Sequence, residues 1–132
     1  MRWVCNGGDH QRLFTAALKE RGNDPKVAFR SLFDAMKVKR FGRTAKFDYL
    51  AMIGKLGLAK IEPDSPYFES RSGPTAGARL LFGGSKDASL SRSTLEKLAR
   101  DLDTGLQIGM QAIEDALCNW QKAPDHFKAF RG

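Results

Sequence analysis

The residues best suited to chemistry fall into three groups. Ser72-Gly73-Pro74 is a turn in which Gly73 can take positive φ and Pro74 presets a helix. The N–H groups of Thr75, Ala76 and Gly77 would follow at the helix start, where a phosphate can be received. Arg71 and Arg79 flank this turn and can add phosphate contacts. A Ser-Gly-Pro sequence is equally an ordinary interhelical turn, and Pro74 removes one donor. The second group is basic: Lys37, Lys39, Arg40, Arg43 and Lys46, interleaved with Phe41 and Phe47. Cations neutralise phosphates and aromatic rings stack on bases, so this run suits DNA. Phe47 also falls on an apolar stripe and reads as core, whereas Arg43 and Lys46 read as DNA contacts. The third group is Asp115, Asn119 and Lys122, spaced i, i+4, i+7 so that they share one side of a helix. With Gln121 nearby, Asn119 offers the amide chemistry that reads a flipped base. Trp120 could stack on such a base, but the helix stripe claims it for the core.

Helices must position these groups. Asp9 is a plausible N-cap for a helix to about Arg21, and Asp24-Pro25 starts a second that buries Ala28, Phe29, Leu32, Phe33 and Met36. Thr44 can cap a third helix through Leu56, with Phe47, Leu50, Ala51, Gly54 and Leu58 on one face. Asp64 and Pro66 can start a very short helix through Ser70. Another opens on Pro74 and ends before Gly83-Gly84. Ser93 and Glu96 have capping-box spacing, which places a helix over about residues 94–101. The last helix is expected from near Asp103, carrying Leu106, Met110, Ile113, Leu117 and Trp120 inward. Gly54 and Gly109, expected inside helices, point to close packing or a ligand's approach. No alternation of period two occurs, so the expectation is an all-α, compact helical domain over residues 1–132 with a helix-hairpin-helix DNA-binding element.

Composition narrows the classes. With 22 Lys and Arg against 15 Asp and Glu the net charge is +7, which favours a polyanionic partner. No apolar run approaches 18 residues, which excludes a helical membrane span, and the N-terminal residues lack a secretory apolar region. Cys5 and Cys118 can pair but read more simply as reduced thiols, which suits a cytoplasmic protein. His10 and His126 lie near opposite ends without zinc spacing, so neither metal nor cofactor is expected. No nucleophile elbow or phosphate-loop lysine motif is present.

Three blocks carry a family resemblance: GRTAKFDYLAMIGKLGL, GPTAGARLLF and LDTGLQIGMQAIEDALCNWQK. Together they resemble the third clade of the alpha-glutamyl/putrescinyl thymine pyrophosphorylases, a family regarded as a distant branch of the helix-hairpin-helix DNA glycosylases. The likeness runs over about residues 3–130. It implies a DNA-binding enzyme acting on a modified base of the kind found in phage DNA. The reaction would be N-glycosylase-like or would replace a pyrophosphate on a modified thymine with an amine. A non-catalytic helix-hairpin-helix module is the alternative. In the superfamily a catalytic Asp lies at a helix N-terminus downstream of the hairpin, and Asp103 in Leu102-Asp103-Thr104 is the similar feature here. It follows Gly73 at a longer interval than the superfamily habit, while Asp87 lies closer than that habit. Asp103 reads equally as a plain N-cap. Asp48 and Tyr49, with Glu114, Asp115, Asn119 and Gln121, also resemble family positions. Glu114 and Asp115 are each otherwise read as solvent-facing.

Overall fold

The computed structural model describes residues 9–70, 72–126 and 129. These residues form six α-helices and no strand, so the fold is all-helical as expected. The chain divides into two units, Met1–Asp64 and Ser65–Gly132.

In the first unit, α1 (His10–Glu20) begins where the Asp9 carboxylate accepts the Gln11 N–H at 2.9 Å. Gly22 and Asn23 then reverse the chain at φ +67° and +61°. α2 (Pro25–Ala35) is capped by Asp24, which accepts the N–H groups of Lys26 and Val27. It packs on both α1 and α3 (Arg43–Lys55). The Phe29 ring meets Phe47 edge-on at 6.0 Å and stacks with Phe33 at 6.5 Å. Beneath them lie Ala28, Leu32, Met36, Leu50 and Ala51, all buried. α3 is capped by Gly42 rather than Thr44, with no side chain bonded to its first turn. Its far end is fixed by Gly54: a Cβ there would lie 2.3 Å from the Ile61 carbonyl oxygen. That glycine admits a returning loop, which Glu62 N–H ties to Pro25 O at 3.2 Å. Leu58 does not share the buried face, because Gly57 at φ +69° turns the chain and leaves Leu58 exposed.

The second unit opens on an irregular segment instead of the short helix expected over residues 64–70. Ser65, Pro66, Tyr67 and Phe68 are all buried in succession. A single helical turn would direct part of that run outward, and Tyr67 at φ +52° lies outside helical geometry. α4 (Gly73–Gly83) follows and ends as expected, at Gly84 in the left-handed region. α5 (Arg92–Leu106) is capped by Ser91, not Ser93, and runs five residues beyond the expected end. Arg92–Glu96 and Lys97–Asp101 pairs one turn apart support this longer helix. α6 (Met110–Trp120) starts after a sharp reversal at Gln107 (φ +54°) and Gly109 (φ +86°). Gly109 therefore answers a conformational demand, not close packing: nothing stands within 4 Å of its Cβ position. Phe68, Ala78, Leu95, Ala99, Met110, Ile113 and Leu117 form the core of this unit.

Candidate base and nucleic-acid site

The turn before α4 is closed by its own hydroxyls. Thr75 Oγ1 donates to Glu69 O at 2.6 Å, and Ser72 N–H donates to the same carbonyl at 3.1 Å. Thr75 N–H reaches Ser72 Oγ at 3.4 Å, and the two side-chain oxygens stand 2.8 Å apart. Ala76 N–H is taken by Ser72 O. Thus Ser72 acts as N-cap, and Thr75 is 3% exposed beneath it. With no short helix preceding, the turn joins an irregular segment to α4.

Gly73 does not use positive φ. A Cβ there would stand 2.9 Å from Cys118 Sγ and 3.6 Å from Gln121 Nε2, both on the last turn of α6 or just past it. At Gly77 the crowding is with backbone: Leu117 O would be 2.2 Å away. Gly73 and Gly77, one turn apart, form a flat strip against which α6 lies. The sequence reading missed this role, although the i, i+4 spacing carries its signature. Arg79, on the same helix, points Nη1 toward Ser70 O at 3.5 Å, and its Nε is buried without a partner among the described residues. Arg71, also expected to contact phosphate, lies outside the described residues, as does Cys5.

The close approach brings two expected site residues together. Gln121, which caps the end of α6 and donates from Nε2 to Cys118 O at 3.3 Å, faces Gly73 at the start of α4. Asp115 and Asn119 are half-buried along α6, and Lys122 is exposed just beyond its end. Trp120 is 38% exposed, so it is not the core residue its place in the stripe implied. Glu114 is the reverse case: read as solvent-facing, it is 4% exposed. Met110, Ile113, Glu114 and Leu117 are the buried residues of α6, at i, i+3, i+4 and i+7. That carboxylate was findable from its register.

Asp103 stands elsewhere. It lies in the last turn of α5, not at a helix start, because α5 continues through it. Its Oδ1 accepts the N–H groups of Ile108 (3.1 Å) and Gly109 (2.7 Å), binding the reversal that leads into α6. Gly109 caps the start of α6 and Gln121 its end. Eleven helical residues, about 16 Å at 1.5 Å each, separate Asp103 from the Gly73–Gln121 contact. Asp87 is exposed, with its own N–H on Ser85 Oγ.

In the first unit the basic run divides in two. Arg43 is 6% exposed, its guanidinium 4.8 Å from the centre of the Phe47 ring. Lys46 Nζ stands 5.4 Å over Phe33. Both cations are thus placed on the aromatic cluster of the core. Lys37, Lys39 and Arg40 are exposed. Phe41 N–H closes a turn on Val38 O at 3.1 Å, and Arg40 occupies its third position at φ +64°. Tyr49 packs edge-on against Phe41 at 6.1 Å, and burial raises its phenol above the ordinary value. Asp48 is exposed.

Among the described residues the chain is all-helical, with the amide and carboxylate side chains of Asp115 and Asn119 along α6. Its family is shown directly: a family model described as alpha-glutamyl/putrescinyl thymine pyrophosphorylase clade 3 matches residues 1–132, and the chain belongs to that family. Comparison with curated proteins and with solved structures gives no match. Among the described residues no helix is long and apolar enough to cross a membrane.

Proposed function

We propose that this protein is an enzyme that acts on a modified thymine carried in DNA, displacing a pyrophosphate from it and attaching an amine. The observation that carries this reading is the family match over the whole chain. In the reaction the C–O bond to pyrophosphate breaks and a C–N bond to the amine forms. Pyrophosphate leaves with the electron pair, and the amine gives up a proton. Asp115 is the carboxylate on α6 assigned to that proton, with Asp48 the other candidate. Asn119 and Gln121 would read the base and Lys122 would attract the pyrophosphate. Ser72, Gly73 and Arg79 would face the DNA strand at the start of α4. The support on α4 and α6 is the contact between Gly73 and Gln121, which sets an amide beside the turn.

N-glycosylase-like base release is the second route, and it calls on Asp103 to support positive charge on the sugar. One assay separates the routes. DNA bearing a pyrophosphorylated thymine is incubated with protein and a diamine, and released pyrophosphate, free base and abasic sites are measured. Pyrophosphate release with the amine retained on the DNA is the expected result, and Asp115→Asn should lower it on the order of 100-fold. Free base with abasic sites would establish the glycosylase route instead. Binding to DNA without either product would make the chain a non-catalytic module.

A further inference from the structure

We infer that the turn of residues 38–41, with Lys39 and Arg40 at its tip and Lys37 beside it in sequence, is the surface that holds the phosphodiester backbone of DNA. Arg43 and Lys46, the cations the sequence singled out, serve the fold of the first unit instead. The inference rests on the reading that the modified thymine is carried in DNA.

Three observations separate the two sets of cations. Arg43 and Lys46 stand over the Phe47 and Phe33 rings, and Arg43 is buried, so neither charge is fully presented to a partner. Lys37, Lys39 and Arg40 are exposed and form no ion pair with a described residue. Elsewhere Arg12, Lys26, Arg30, Arg92 and Lys97 each stand beside a carboxylate. The third observation is the backbone of Arg40. At φ +64° it holds a position that Gly or Asn fills at far lower cost. A long cation kept there, between Lys39 and Phe41, is placed at the expense of local stability, which points to use at the tip.

The partner follows from charge. Three cations within four residues, with no ion pair among the described residues, complement a chain of regularly spaced phosphates, whose counterions they would release. No acidic residue interrupts the sequence between Asp34 and Asp48. A turn tip contacts backbone without entering a groove, so sequence selectivity is not expected from it.

The test compares binding of an unmodified 20-base-pair duplex across salt by fluorescence anisotropy, for wild type and three variants. Lys39→Ala/Arg40→Gly should flatten the slope of log affinity against log salt by about two, near 0.9 per lost phosphate contact. Its melting temperature should hold or rise, since glycine relieves the left-handed strain at residue 40. Lys46→Gln should leave the slope within about 0.3 of wild type and lower the melting temperature instead. A third variant, Arg40→Lys, keeps the charge at the turn and should hold the wild-type slope. An unchanged slope in the double variant overturns the inference. So does an equal loss with Lys46→Gln, or tight binding to phosphatidylserine vesicles with none to DNA. If wild type fails on every modified thymine, the proposed reaction falls while the slope result still decides this inference.

Discussion

Asp103 shows how one side chain can hold two helices at their junction. Its single oxygen accepts from Ile108 and Gly109, groups that the reversal between α5 and α6 would otherwise leave without an acceptor. Asp103→Ala should therefore lower stability by about 1–3 kcal/mol. Asp103→Asn keeps an acceptor oxygen in place and should lose less than half as much, as denaturant midpoints would show. If Asn at this position folds normally yet abolishes base release, the charge itself is used in chemistry. The sequence placed Asp103 at the start of the last helix, whereas it lies in the last turn of α5 and binds the reversal before α6. Glu114 was misread as well. A lone carboxylate suggests solvent, and its place on the Met110–Leu117 stripe was outweighed by its charge.

At the scale of elements, the strip of Gly73 and Gly77 decides how α4 and α6 meet. Gly77→Ala would drive a methyl into the Leu117 carbonyl, and backbone cannot swing aside. A loss of about 2–4 kcal/mol is expected. Gly73→Ala meets mainly the Cys118 sulfur, which can rotate, and should cost about 1 kcal/mol. Gly105→Ala, in a helix with open space around it, should gain roughly 0.5–1 kcal/mol. Thermal or chemical unfolding of the three variants checks that order. Helix starts with an acidic cap were legible from sequence: Asp9, and Asp24 with Pro25, both stand where local chemistry requires. α3 was not, because Gly42 caps it with no side-chain bond and Thr44 offered a false signal. Ser91 and Ser93 both suit a cap, and only the true register of α5 selects between them. The glycine strip was visible as a spacing, but its meaning depends on α6, which local sequence does not reveal.

At the scale of the molecule, an excess of seven positive charges acts before any single contact does. Binding to unmodified duplex should depend little on base sequence, and even two phosphate contacts make affinity fall about tenfold between 50 and 200 mM salt. Parallel titrations on duplexes of different sequence test this, and equal affinity at both salts would contradict it. The contact between Gly77 and Leu117 has a kinetic side as well. It joins points about forty residues apart, so closing it costs roughly 3 kcal/mol of chain entropy before the packing contributes. α5 lies inside that span and has its own cap and side-chain pairs to form locally. The second unit is therefore expected to fold from its middle outward, with α5 forming early and the docking of α4 on α6 closing the loop last.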